Sequence, residues 1–108
     1  MIVDEGKYYL YRHVRLDTNQ PFYIGIGSSN KRTPYKRAIA KDGRNSFWNR
    51  IIAKTEYRVD ILLETDSLEF VWEKEMEFIQ LYGRRDLGLG TLTNLTNGGE
   101  GNFGYIPT

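Results

Sequence analysis

A chain of 108 residues with 40% hydrophobic and 27% charged side chains fits one compact domain, taken as 1–108 with a core from about 7 to 101, and argues against disorder. The absence of cysteine excludes disulfides, thiolate metal sites and cysteine nucleophiles, and the net charge of +1 by itself says nothing about partners. Apolar runs such as Ile61-Leu62-Leu63 are far too short to cross a membrane, and Met1 to Lys7 has acidic residues and no apolar stretch, so the expectation is a soluble cytoplasmic protein without a signal peptide.

Tyr8 to Val14 is rich in aromatic and β-branched residues and predicts a first strand. Its period of two puts Tyr9, Tyr11 and His13 on one face and Tyr8, Leu10, Arg12 and Val14 on the other. Asp17-Thr18-Asn19-Gln20-Pro21 is a turn cluster, and a second strand over Phe22 to Ile26 completes an antiparallel hairpin. Gly25, Gly27, Ser28, Ser29 and Asn30 read as a loop. Thr33 and Pro34 then mark the start of a short basic helix to about Lys41, broken by Asp42-Gly43. Ser46 caps a second helix over Phe47 to Lys54. Tyr57, Val59, Ile61 and Leu63 alternate with polar residues and predict a half-buried third strand. Asp66 with Glu69 resembles a capping box opening the clearest helix, Leu68 to Tyr82, which Gly83 ends. The glycine-rich remainder reads as loop, with an extended piece near Leu92 to Leu95.

Charge is unevenly spread. Lys31, Arg32, Lys36, Arg37, Lys41, Arg44, Arg50 and Lys54 face only Asp42 in that stretch, while acidic residues dominate from Glu56 to Glu77. Interleaved with Tyr35, Phe47 and Trp48, the basic stretch is a candidate phosphate-binding face, with Lys36, Arg37, Lys41 and Arg44 as candidate nucleic-acid contacts. An ordinary solvated helix surface has the same composition.

Glu75 is the residue that does not fit a plain core. At about 100° per residue it falls within the apolar stripe of Leu68, Val71, Trp72, Ile79 and Tyr82, whereas Glu69, Glu73 and Glu77 face outward. A carboxylate placed there is paired with Arg or Lys, committed to a metal ion, or on an end of the helix left partly exposed. Phosphodiester hydrolysis uses such a carboxylate, a guanidinium for the non-bridging oxygens and phenols that position water. Arg32, Tyr11, Tyr23 and the Asn94 segment supply those types, although Tyr9, Tyr11 and Tyr23 read equally as aromatics packing across a hairpin.

These residues resemble the GIY-YIG nuclease family. Tyr23-Ile24-Gly25 reproduces the second signature, and Tyr9-Leu10-Tyr11 stands where Gly-Ile-Tyr is expected, keeping the final tyrosine. Glu75-Met76-Glu77-Phe78-Ile79 looks like the family's glutamate helix, and Asn94-Leu95-Thr96-Asn97-Gly98-Gly99-Glu100-Gly101 resembles its closing asparagine segment. The likeness implies an α/β (α+β) domain with a small three-stranded antiparallel sheet flanked by helices. It further implies a DNA endonuclease using one divalent ion, Mg²⁺ or Mn²⁺, with Glu75 as the metal-binding carboxylate. By the same likeness Tyr11 activates or positions water, Tyr23 supports it, Arg32 holds the phosphate and Asn94 organises the site. Arg37 competes with Arg32 for that place, and Lys36 stands where members often carry His or Tyr.

DNA is then the expected partner, with a further recognition domain or a homodimer supplying specificity, and no membrane is involved. A nuclease-like module that binds nucleic acid without cutting it is the alternative. His13, the only histidine, reads as a structural hydrogen-bonded residue or an auxiliary proton carrier.

Overall fold

A computed structural model describes residues 7–29 and 32–98. The expected loop residues Asn30 and Lys31, the Gly99-Glu100-Gly101 end of the closing segment and the N-terminal Met1 to Gly6 lie outside the described residues.

Three antiparallel strands form one sheet in the order β2-β1-β3, where β1 is Tyr8–Arg15, β2 is Pro21–Ser28 and β3 is Tyr57–Thr65. Between β2 and β3 lie α1, Lys36–Ile39, and α2, Ser46–Ile52; α3, Leu68–Tyr82, follows β3. The α+β class, the hairpin and the long third helix are as the sequence predicts. Among the described residues no helix is long and apolar enough to cross a membrane.

The two faces of the sheet have different cores. Leu10, Ile24 and Ile26 pack with Val71 and Ile79 of α3 and with Leu92. On the opposite face Tyr9, Tyr11 and Ala38 cluster with Tyr23, Tyr35, Val59 and Ile61, and Phe22, Trp48 and Ile51 gather around Tyr57 beside α2. The β1 alternation is therefore realised. That of β3 is not, because Leu63 packs with the α3 core while Val59 and Ile61 pack with the tyrosines. A bulge is the cause: Leu10 pairs with Leu63 but Tyr11 pairs with Ile61, which returns Leu63 to the face of Leu10.

Gly25 and Gly27 lie inside β2, in register with Tyr11 and Tyr9, so the loop expected there is strand. A Cβ on Gly25 would fall 2.3 Å from Cζ of Tyr11, and one on Gly27 would fall 2.2 Å from Cζ of Tyr9. Each tyrosine ring fills the space that a β2 side chain would otherwise take. The two glycines are slots for aromatic rings.

Helix starts differ by a residue or two from expectation. Asn45, not Ser46, caps α2 by accepting from Trp48 N, and its amide also donates to Thr93 O at 2.9 Å. Ser67, not Asp66, caps α3 by accepting from Phe70 N; Glu69 remains in the first turn, where the helix dipole favours it. Thr33 and Pro34 start nothing. Helix α1 begins at Lys36 after an uncapped Tyr35 and stops at Ala40, whose ψ of 141° is extended. Gly83 ends α3 as predicted, with φ 85° and its N–H bonded to Ile79 O.

Gly25→Ala and Gly27→Ala should each destabilise the domain by about 1–3 kcal/mol in urea unfolding, as overpacking of a buried ring does. Pairing Gly25→Ala with Tyr11→Ala should cost clearly less than the sum of the two single changes; strict additivity would show that ring and glycine do not share the space.

Candidate functional site

The tyrosine face is held by its aromatic residues. Ring centroids lie 5.9 Å apart for Tyr9 and Tyr11 and 6.1 Å apart for Tyr11 and Tyr23. His13 stacks on Tyr23 at 5.7 Å and meets Trp48 at the same separation. Both His13 nitrogens are committed: Nε2–H donates to Ala38 O at 2.7 Å, and Nδ1 accepts from Trp48 Nε1–H at 2.9 Å. Burial holds the His13 pKa down at about 4, so the ring is neutral and its role is to fasten α1 and α2 to β1.

The guanidinium found over these rings is that of Arg44, in the turn between α1 and α2. It lies 5.1 Å from the Tyr23 centroid, 5.5 Å from Trp48 and 5.7 Å from Tyr11. Nη1 donates to the Tyr11 hydroxyl at 2.9 Å, Nη2 to Arg37 O and Ala40 O, and Nε to Ala40 O. The carbonyls at the end of α1 thus find their donor in a side chain from the next turn. Sequence spacing placed Arg44 on an outer basic face with Lys36, Arg37 and Lys41. Those three are exposed, whereas Arg44 is half-buried against the tyrosines. The local signal was there in Arg44-Asn45 directly before the helix that carries Trp48.

Tyr11 itself is 0% exposed, and burial together with the neighbouring Tyr23 pushes its pKa up to about 12. A sealed, neutral phenol suits the holding of Arg44 better than the removal of a proton from water. Tyr23 is half-buried and is the phenol of the pair nearer to solvent. Arg32 is exposed and lines a shallow hollow with Pro34, Tyr35, Lys36 and Ile39. Tyr35 in turn donates to the Glu64 carboxylate on β3.

Glu75 is where the helical wheel put it, in α3, buried to 2% exposure between Val71 and Ile79. It approaches β2 from the side opposite the tyrosines. The residues after α3 link the two sides by running along the free edge of β2. Thr93 N and Thr93 Oγ1 both bond Phe22 O. The Asn94 amide takes both groups of Ile24, accepting from its N–H at 3.0 Å and donating to its C=O at 2.8 Å. A side-chain amide thereby substitutes for a fourth strand and closes the edge next to Tyr23. The chain continues to Gly98, with φ 86°, where a Cβ would lie 3.0 Å from Cδ and Oε1 of Glu75. Lacking a side chain, Gly98 lets the backbone pass close to that carboxylate. Asn97, in the same segment, accepts from Arg84 Nη1 at 2.9 Å.

No family model, curated protein or solved structure matches the chain.

The His13 ring sets a pH limit on the fold. Its folded pKa of about 4 lies below the unfolded value of about 6.5, so the unfolded chain takes up a proton that the folded chain refuses. Stability should therefore fall by about 3 kcal/mol as pH drops from about 6.5 to about 4, and this contribution should level off below that. Urea unfolding of wild type and His13→Gln across this range should show the variant lacking that limb; parallel curves would refute the assignment.

Proposed function

We propose that the protein is a divalent-metal-dependent nuclease with a GIY-YIG-type fold, hydrolysing phosphodiester bonds in DNA. The observation that carries the reading is Glu75, buried in the apolar face of α3 with the Gly98 backbone passing close to its carboxylate. Taking a carboxylate to that depth costs several kcal/mol, which donors or cations must offset. The strap from Thr91 to Gly98 bonds the edge strand bearing Tyr23 and ends beside that carboxylate.

The donor set fits Mg²⁺ or Mn²⁺. Among the described residues no three His, Cys, Asp or Glu side chains group together, so an all-protein cage for zinc or calcium has no basis here. Magnesium is usually held by one or two carboxylates, with waters and phosphate oxygens completing the shell, and Glu75 is such a carboxylate. A bound divalent ion supplies Lewis acidity to the phosphate and an acidified water. The chain's own groups do the rest. Exposed Lys36, Arg37 and Lys41 attract the polyanion, Arg32 stands at the start of that face, and Tyr23 positions phosphate or water. Tyr11 acts through Arg44, and Asn94 keeps β2 in place. In hydrolysis the water oxygen bonds to phosphorus, one P–O ester bond breaks and the leaving oxygen gains a proton. A domain of this size gains sequence specificity from a further recognition domain or a homodimer.

One observation favours the second reading, a module that binds nucleic acid without cutting it. Tyr11 stays protonated to about pH 12 and His13 stays neutral above about 4, so neither serves as a base near neutrality.

Plasmid cleavage with Mg²⁺ or Mn²⁺ separates the two. Glu75→Gln should lower the rate by about a hundredfold or more, and EDTA should abolish cutting. The rate profile of Tyr11→Phe between about pH 6 and 9 should keep the wild-type shape at a lower level, since a group that does not ionise there adds no limb. Metal-independent cleavage would discard the metal role of Glu75, and no cleavage under any condition with DNA binding intact would discard the nuclease reading.

A further inference from the structure

Arg44 carries a hydrogen-bonded guanidinium with no anion beside it among the described residues. Four hydrogen bonds fix the plane of the Arg44 guanidinium, and their three acceptors are uncharged: the Tyr11 hydroxyl, Arg37 O and Ala40 O, the last used twice. The faces of Tyr11, Tyr23 and Trp48 surround it, and these too carry no charge. Arg44 enters no ion pair among the described residues, whereas Arg12, Arg15, Arg58 and Arg84 each do. Of its five N–H donors one, on Nη1, remains unassigned.

Bonding the carbonyls at the end of α1 accounts for the donors of Arg44 and leaves its charge unmatched. Withdrawing a guanidinium from water without a counter-charge is unfavourable, and natural sites of this kind pair it with a carboxylate or phosphate. The surroundings add positive potential: Arg37 and Arg44 both act electrostatically on His13, Tyr9 and Tyr11. Arg44 is nevertheless half-exposed, so a ligand reaches it.

We infer that Arg44 is an anion-binding residue, its guanidinium laid on Tyr11, Tyr23 and Trp48 to take a non-bridging oxygen of a phosphodiester. Tyr11 is then a positioning residue, whose hydroxyl oxygen holds Nη1 from below. Tyr23 lines the same spot. The ring stack and the fork of hydrogen bonds need a planar group with several donors, so lysine does not replace Arg44. The phosphodiester class rests on the nuclease reading; the anion site does not.

The test is binding without metal or cleavage. Wild-type protein, with its arginine side chains ¹⁵N-labelled, is titrated with diethyl phosphate in EDTA and followed by NMR. The Arg44 Nε–H signal and the Tyr23 ring signals should shift together and saturate, with diethyl ether of the same carbon chains leaving them unmoved. For a short DNA duplex, Arg44→Lys should weaken binding about tenfold or more, and Arg44→Gln should also reduce the slope of log affinity on log salt by about one. Because Arg44 also braces α1, each variant is first checked for a wild-type unfolding midpoint; a misfolded variant leaves the wild-type titration to decide. An unshifted Arg44 signal at saturating diethyl phosphate, or Arg44→Lys binding DNA as wild type does, would overturn the inference. Shifted Arg44 signals without any DNA cleavage would keep the anion site and remove the nuclease. Cleavage with an unresponsive Arg44 would do the reverse.

Discussion

Tyr9 and Tyr11 project from the central strand at positions whose partners in β2 offer no side chain. Gly27 and Gly25 leave that space, and a single Cβ at either would stand within 2.3 Å of a ring carbon. Because the rings lie flat along β2, their hydroxyls reach out to the elements beyond it. The Tyr9 hydroxyl accepts from Ala38 N and so fixes α1, while the Tyr11 hydroxyl accepts from Arg44 and so fixes the turn into α2. Both helices are short, at four and seven residues, and neither would persist in isolation. Their position on the sheet depends on this contact between ring and glycine.

The opposite face follows ordinary helix-on-sheet packing, and the edge between the faces joins them. Strand β2 is outermost and would expose Phe22 and Ile24 backbone groups to any passing strand. Thr93 and Asn94 take those groups. The same strap carries Gly98 to Glu75, so closing the sheet edge also brings the Gly98 backbone against the buried carboxylate.

What the sequence showed depended on the range of the interaction. The α3 stripe and its misplaced Glu75 are periodic and local, and the helical wheel located both correctly. The Gly83 stop was legible for the same reason. Gly25 and Gly27 were read as loop because glycine in a strand looks like a breaker until its cross-strand neighbours are known to be tyrosines. The β3 alternation failed at Leu63 because the bulge is a property of the pairing with Leu10 and Tyr11, not of β3 itself. Arg44 was counted among the surface cations since its partners, Tyr11 and Tyr23, are far off in sequence and meet it only through the fold. Trp48, interleaved in the basic stretch, is buried and is the hydrogen-bond partner of His13. His13 as a structural residue was one of two readings, and both of its nitrogens are used in that way.

The central claim is that Glu75 and the Gly98 turn form a place for a divalent cation at the edge of β2. Paramagnetic relaxation by Mn²⁺ tests it without reference to activity. Added at substoichiometric amounts to ¹⁵N-labelled protein, Mn²⁺ should broaden first the amides around Glu75 and Gly98 and those of Ile24 to Ile26, and Glu75→Gln should abolish the effect. Broadening confined to exposed carboxylates such as Glu69, Glu73 and Glu77, with the Gly98 amide unaffected, would contradict the claim.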